Sequence, residues 1–172
     1  MYAIDLLPAE EFDAAIKDLA VLLADAVDDG ASVGFLSPFG LEEAAGWWRD
    51  QAPAVAAGTL RVWVARDASG VAGTISLALA TKPNSRYRGE IVKLMVHRDA
   101  RGRGLSRALL ATAERAALAD GVHLLMLDTE TGSTAEHVYL TGGWTRYGVV
   151  PGYAASPDGT PAACSFFYKD LR

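Results

Sequence analysis

The chain has 172 residues, is 51% hydrophobic and carries a formal net charge of −5. This length fits one domain with a sizeable core, so residues 1–172 are predicted to form a single domain, and the hydrophobic content argues against disorder. The acidic pI of about 5.1 argues against general nucleic-acid binding. The single cysteine, Cys164, excludes an internal disulfide. No signal-like start and no membrane-length apolar run is evident, so a cytoplasmic protein is expected.

The first half of the chain shows the periodicities of a strand, two helices and a hairpin. Phe12, Ile16 and Leu23 recur at helical spacing and mark the buried face of the first helix. Ile75 and Leu77 alternate with small polar residues, as in a strand with two different faces. The predicted elements are a strand over 2–7, helices over 8–27 and 41–55, a strand over 61–66, a turn over 67–70 and a strand over 74–79.

The second half predicts strands that alternate with helices. A polar loop over 82–86 leads to a strand over 90–96, and a helix follows the glycines near residue 104. The apolar run over 122–127 is typical of a strand covered on both faces. Ser133 and Glu136 form a capping box that opens the last helix, and Gly142 and Gly143 end it. Two last strands over 144–150 and 163–169 are joined by a Pro- and Gly-rich stretch over 151–161.

The segment over 94–110 reads as strand, glycine-rich loop and helix, an order that builds an anion site. Gly102 and Gly104 allow the backbone to approach a ligand, and the N–H groups of the new helix point towards it. No Gly-Lys-Ser/Thr follows, which excludes a Walker-A loop, and the third glycine of a dinucleotide fingerprint is missing. Such a site suits a phosphate. The positive charges beside it come from Arg101, Arg103 and Arg107.

Arg101, Gly104 and Ser106 match the pattern Arg/Gln-x-x-Gly-x-Gly/Ala, with serine in the last slot, so the loop resembles motif A of the GCN5-related N-acetyltransferases. The resemblance implies an α/β fold: one central mixed, mostly antiparallel sheet of six to seven strands, flanked by about four helices and splayed at an acetyl-CoA site. It also implies that the loop cradles the coenzyme pyrophosphate, and that one N–H near Met95 or Val96 polarises the thioester carbonyl. The coenzyme-binding residues that it implies are Leu94, Met95, Val96, Arg101, Gly102, Arg103, Gly104, Leu105, Ser106, Arg107 and Ser133.

Tyr139 lies in a segment over 135–144 that resembles the family's Ala-x-x-Leu-Tyr-x-x-x-Gly-Phe. The resemblance implies that its hydroxyl lies near the coenzyme sulfur and protonates the leaving thiolate, which a phenol in a dry site can do. The alternative is a tyrosine that only packs on an amphipathic helix.

Glu90 and Asp128 adjoin two strands that the family fold places side by side. Either carboxylate could take the proton of an incoming amine and attract its positive charge. The alternatives are a solvated strand end for Glu90 and a turn residue for Asp128. The stretch over 127–136 resembles the tabtoxin-resistance branch of the family, in which acidic residues at these places act on a small amino-acid-like toxin.

The sequence gives fewer indications of the residues that contact the acceptor amine. Phe35, which precedes the second helix, and Asn84 and Arg86, before Glu90, are candidate substrate contacts. The three histidines share no spacing, so no metal is expected. Cys164 is predicted to be a buried, unreactive thiol.

These features predict an acetyl-CoA-dependent N-acetyltransferase. The acceptor would be the primary amine of a small molecule (amino-acid-like, a polyamine, or an antibiotic or toxin), and the amine would attack directly. The alternatives are an acyl-CoA-binding or sensing module and a protein N-acetyltransferase. No nucleic-acid or membrane partner is expected, and the apolar residues of the last strands could pair subunits in a homodimer.

Overall fold

The computed structural model of the protein describes residues 2–68 and 70–172, so Ser69 in the predicted turn over 67–70 lies outside the described residues. One seven-stranded sheet has the order β1-β2-β3-β4-β5-β7-β6, with four α-helices around it. Among the strands of the described residues, only β4 and β5 pair in parallel. The predicted mixed, mostly antiparallel sheet is therefore confirmed. The elements are β1 (Ala3–Leu6), α1 (Ala9–Asp28), α2 (Leu41–Ala56), β2 (Leu60–Asp67), β3 (Gly70–Leu79), β4 (Arg88–Val96), α3 (Leu105–Ala119), β5 (Leu124–Glu130), α4 (Thr134–Thr141), β6 (Thr145–Ala155) and β7 (Pro161–Asp170).

A hydrophobic cluster covers each face of the sheet. On one face, α3 and α4 pack on Ile75, Leu77 and neighbouring side chains. On the other, α1 and α2 cover Val62 and Val64. The indole of Trp48 in α2 is fully buried. Its Nε1–H donates a hydrogen bond to the carbonyl oxygen of Leu19 in α1 at 3.1 Å. Alternation along the strands thus supplies both cores.

The pairing of β4 with β5 is short. It ends at Glu90 opposite Met126, although β4 continues to Val96 and β5 to Glu130. From Ile91 onward, the edge of β4 that faces β5 pairs with no strand in the part of the chain that the structure describes. The sheet is therefore open at this point, between two strands that are each held on their other side.

A β-bulge lies within the unpaired part of β4. Between the pairs Ser76–Val92 and Thr74–Met95, one residue of β3 faces two of β4, Lys93 and Leu94. Lys93 has φ 53°, a left-handed conformation that no other described non-glycine residue adopts. Such a bulge bends its strand and redirects a side chain.

The predicted loop over 151–161 was wrong in extent. Strand β6 continues through Pro151 and Gly152 to Ala155, and β7 begins at Pro161. Strand β6 is an edge strand and its register shifts between Val150 and Ala154, where proline and glycine are tolerated. Turn-forming residues therefore mark an irregular edge strand here.

Asp128 also lies inside β5, which extends past the predicted end at residue 127 to Glu130.

No helix in the described ranges is long and apolar enough to span a membrane.

Gly89 sits where β4, β3 and the segment before β5 meet, and it has no room for a side chain. A Cβ at Gly89 would lie 2.6 Å from Cδ1 of Leu77 and 3.3 Å from the carbonyl oxygen of Ala78. We expect Gly89→Ala to lower the free energy of unfolding by roughly 1–3 kcal/mol, because the extra methyl overpacks this core. Urea denaturation measures it. The control is Gly148→Ala, where a Cβ meets nothing within 4 Å; equal midpoints for the two variants would contradict this packing.

Candidate active site

The glycine loop between β4 and α3 presents unused hydrogen-bond donors. Gly102 and Gly104 have φ of 73° and 75°, and a Cβ on either would meet nothing within 4 Å. Glycine is thus favoured there by backbone conformation and not by crowding. In the described chain, the N–H groups of residues 102–104 donate to no other residue, and Gly104 gives α3 no side-chain cap. With the free N–H groups of the first helical turn, they form an exposed anion-binding surface.

The arginines of this loop differ in how their charge is used. Arg101 donates from Nε to the carbonyl of Val96 at 3.2 Å and forms an ion pair with Asp29. Its hydrogen bond and charge hold the pKa of Asp29 below the ordinary value. Arg103 and Arg107 instead donate to neutral hydroxyl groups, each at 3.1 Å. Their positive charge therefore stays available to a ligand, whereas that of Arg101 is paired with the carboxylate of Asp29 at the end of α1.

Ion pairs connect the C-terminal end of α1 to the same loop. Arg98 pairs with Asp25 and with Asp28, the latter at 2.9 Å, next to the Arg101–Asp29 pair. Carboxylates at a helix C-terminus are unfavourable in the field of the helix dipole, and the two arginines offset this. The acidic spacing in α1 was visible in the sequence, but its partners follow only from the fold.

Glu90 and Asp128 lie on one face of the sheet beside the opening between β4 and β5. Glu90 is the last paired residue of β4, and Asp128 comes two positions after its partner Met126, so alternation points both carboxylates the same way. Glu90 keeps contact with solvent, yet partial burial raises the pKa of its carboxyl, and the negative charge of Asp128 raises it further. The structure thus brings together the two carboxylates that the sequence analysis singled out.

Tyr139 approaches the opening from α4. Its ring is buried against Trp144 and Phe167, with centroids 5.9 and 6.0 Å away. Its hydroxyl has no hydrogen-bond partner among the described residues. Burial raises the pKa of Tyr139 well above its ordinary value, and the charge of Asp128 adds to the effect. Asp128 therefore acts on both Glu90 and Tyr139, and the phenol stays neutral.

Cys164 supports Asp128 from the neighbouring strand. Its single S–H is shared between Oδ2 of Asp128, 3.2 Å from Sγ, and the carbonyl oxygen of Thr129, 3.1 Å from Sγ. Burial first, and then the hydrogen bond and charge of Asp128, raise the pKa of Cys164 to about 12. The thiol is therefore protonated and buried, in line with the unreactive thiol expected from the sequence; its contact with Asp128 was not foreseen.

Lys93 is the functional candidate that the sequence analysis missed. Its Nζ donates to the carbonyl of Val33 at 2.9 Å and lies 5.4 Å from the ring centroid of Phe35 and 4.7 Å from that of Trp47. Partial burial lowers the pKa of Lys93, while Asp128 and Glu90 raise it. Phe35, a predicted substrate contact, thus lies in an aromatic pair around an ammonium group. The feature that marks Lys93 is its left-handed backbone conformation within a strand, and this conformation cannot be predicted from the sequence.

The remaining predicted contacts are Ser133, Asn84 and Arg86. Ser133 caps α4, since its Oγ accepts from the N–H of Glu136 at 3.2 Å. Asn84 and Arg86 are exposed at a short 3-10 turn before β4, and neither side chain has a hydrogen bond or ion pair in the described structure. Two depressions of about 250 and 710 Å³ share Asp28 and Ser37, outside the β4–β5 opening. Within residues 2–68 and 70–172, no group of three metal-ligand side chains is assembled.

Comparison with known proteins agrees with this architecture. The model of the acetyltransferase (GNAT) family matches residues 34–142. Among solved structures, a ribosomal-protein-alanine N-acetyltransferase from Brucella melitensis is 23% identical with a TM-score of 0.79, over 98% of this chain and 99% of that one. An N-acetyltransferase from Staphylococcus aureus Mu50 is 18% identical with a TM-score of 0.78, over 100% and 99%. The yncA protein of Salmonella typhimurium, solved with its cofactor acetyl-CoA, is 19% identical with a TM-score of 0.78, over 100% and 95%.

These structures share the fold, while the family match spans most of the chain and contains the glycine loop, both carboxylates and Tyr139. The chain therefore belongs to the acetyltransferase (GNAT) family and is an N-acetyltransferase.

Proposed function

We propose that residues 1–172 act as one domain that transfers the acetyl group of acetyl-CoA to the primary amine of a small molecule. The observation that carries this proposal is the opening between β4 and β5, which lies directly before a loop of unpaired N–H donors. A long ligand with an anionic end and a polar arm fits such a continuous site.

The coenzyme would lie along β4 and across the glycine loop. The N–H groups of residues 102–107 would hold the pyrophosphate, and Arg103 and Arg107 would add charge. Arg101 would position the loop. The free edge of β4, with the main chain of Leu94, Met95 and Val96, would bind the pantetheine arm, and Ser133 flanks the opposite strand. The acetyl-CoA reported with the yncA structure supports this choice of coenzyme.

The chemistry would be direct attack. The amine nitrogen bonds to the thioester carbon, whose oxygen accepts a hydrogen bond from an N–H near Met95 or Val96. Glu90, or Asp128 through water, takes the proton that the amine loses. The carbon–sulfur bond then breaks, and the hydroxyl of Tyr139 donates to the leaving thiolate. A carboxyl with a raised pKa is a stronger base, and a phenol that stays neutral remains a donor.

An acyl-enzyme is not part of this proposal. Cys164 is the only cysteine, and its raised pKa and its buried hydrogen bonds keep the thiol protonated. The thiolate is the nucleophilic form of cysteine, so Cys164 would serve as a donor to Asp128 instead.

The acceptor would be an amino-acid-like amine, a polyamine, or an amine of an antibiotic or toxin. Phe35, Asn84 and Arg86 would contact this acceptor. The likeness of residues 127–136 to the tabtoxin-resistance branch supports an amino-acid-like acceptor. A protein N-acetyltransferase is the second candidate, because the Brucella melitensis structure bears the name of a ribosomal-protein-alanine enzyme.

The proposed homodimer is supported by an apolar patch on the edge hairpin, where Tyr147 and Tyr153 are more than half exposed beside Val149, Val150 and Tyr168. Sedimentation equilibrium tests it, and a monomer at every concentration would refute it. The proposal includes no nucleic-acid or membrane partner.

A thiol-release assay tests the function. Acetyl-CoA is incubated with amino acids, polyamines, aminoglycosides, and peptides that carry a free N-terminus or a lysine. We expect free thiol to appear only with some small amines, with one acetylated amine per thiol by mass spectrometry. Activity confined to the peptides would favour the protein N-acetyltransferase. Acetyl-CoA binding with no turnover on any acceptor would favour a sensing module.

The glycine loop is tested by Gly104→Glu. We expect calorimetry to show an affinity for CoA that is at least about 100-fold lower, because a carboxylate and added bulk enter the site of a phosphate at a helix N-terminus. The matched control is Gly121→Glu, another exposed glycine with positive φ (78°) and open space, at the far end of α3. A folded Gly104→Glu protein with the affinity of its control would remove the loop from the coenzyme site.

The carboxylates are tested by the pH dependence of kcat/KM. Glu90→Gln should lower kcat/KM by roughly 10²–10⁴ near neutral pH, with a defect that shrinks towards the pKa of the amine, where free amine is abundant. Asp128→Asn should instead move the acidic limb to lower pH, because Asp128 raises the pKa of Glu90. Glu10→Gln, an exposed change on α1, is the control. An active Glu90→Gln with an inactive Asp128→Asn would assign the base to Asp128.

A further inference from the structure

Lys93 is a half-buried cation that the proposed chemistry does not use. It lies at the bulge of β4 in a left-handed conformation, which is unfavourable for a non-glycine residue. The bulge brings its side chain to the face of the sheet that carries Glu90 and Asp128. A conformation of this cost at a functional opening is a reason to ask what the side chain contributes.

The ammonium of Lys93 has spare donor capacity. Of its three N–H bonds, one goes to the carbonyl of Val33. The rings of Phe35 and Trp47 flank Nζ without accepting a conventional hydrogen bond. Nζ forms no ion pair with a carboxylate in the part of the chain that the structure describes. A partly desolvated cation in this state would gain from an anionic ligand.

The charges around the opening are arranged in two parts. Glu90 and Asp128 supply negative charge where the sheet opens, and both act on Lys93 at longer range than an ion pair. A substrate amine would approach the carboxylates as a cation. A second cationic group on that substrate would meet Lys93, whereas a negative group would match it.

We propose, building on the acetyltransferase function above, that Lys93 binds the carboxylate of a zwitterionic acceptor, so that the substrate is an α-amino acid or a compound with the same amine and carboxylate pair. Glu90 and Asp128 face its amine, Lys93 faces its carboxylate, and Phe35 and Trp47 shield the Lys93 contact from water. Polyamines, aminoglycosides and peptide N-termini lack a carboxylate beside the reacting amine, so this arrangement selects against them.

The test compares each common L-amino acid with its own amide, which keeps the amine and side chain and removes one negative charge. Rates are expressed per free amine, because the amide has a less basic amine. We expect wild-type kcat/KM to favour the acid roughly 10- to 100-fold, as for a charge-assisted hydrogen bond. Lys93→Met should bring this ratio towards one, and Lys93→Arg should restore part of it. Lys17→Met, which removes an exposed lysine of α1, should keep the wild-type ratio.

The ratio separates binding of a carboxylate from a structural role, because a distorted loop at Val33 would lower both rates together. Calorimetry on the wild-type protein saturated with CoA gives a second measurement that needs neither turnover nor a folded variant. Amino acids that bind more tightly than their amides support the proposal even without acetylation, and that result would count against the transferase function alone. Amides that bind and react as well as the acids would overturn the role of Lys93 and leave the transferase function standing.

Discussion

The structure depends on a parallel strand pair that ends early. Strands β4 and β5 pair only as far as Glu90 and Met126, although both continue. Unpaired backbone N–H and C=O groups are costly when they are shielded from water, so an opening of this kind suits a ligand with polar groups along its length. Each strand keeps its other neighbour, β3 or β7, and the two cores cover both faces of the sheet. The opening is thus held by rigid surroundings.

The charged groups follow from the same opening. The charge of Asp128 acts on the pKa of Glu90, Tyr139, Lys93 and Cys164, and burial is the larger cause of the shift in each. The results differ with the chemistry of the group. A carboxyl becomes a better base, and a phenol and a thiol stay protonated. For the ammonium of Lys93, the charge of Asp128 opposes the lowering of its pKa by burial. Neighbouring groups whose pKa values are pushed in useful directions are typical of acid–base sites.

Local patterns explain what could be predicted. The glycine loop, the Ser133 cap and the buried faces of α1 and α3 depend on residues close in sequence, and family resemblance supplied the mixed, mostly antiparallel sheet around them. The bulge at Lys93 depends on register with β3, the support of Asp128 by Cys164 depends on pairing of β5 with β7, and the partner of Arg101 comes from α1. None of these has a local signal. At Pro151 a local signal was present but gave a wrong prediction. Proline indicates a turn, yet here it lies in an irregular edge strand that tolerates it.

In the proposed complex, acetyl-CoA occupies the opening and the glycine loop. Amide hydrogen exchange with and without acetyl-CoA measures this most directly, because it reports on the backbone groups themselves. We expect slower exchange at residues 91–96 and 102–107 in the bound protein, with no change in the β6–β7 hairpin. Protection confined to the hairpin or to the depressions beside Ser37, with residues 91–96 and 102–107 unaffected, would contradict it.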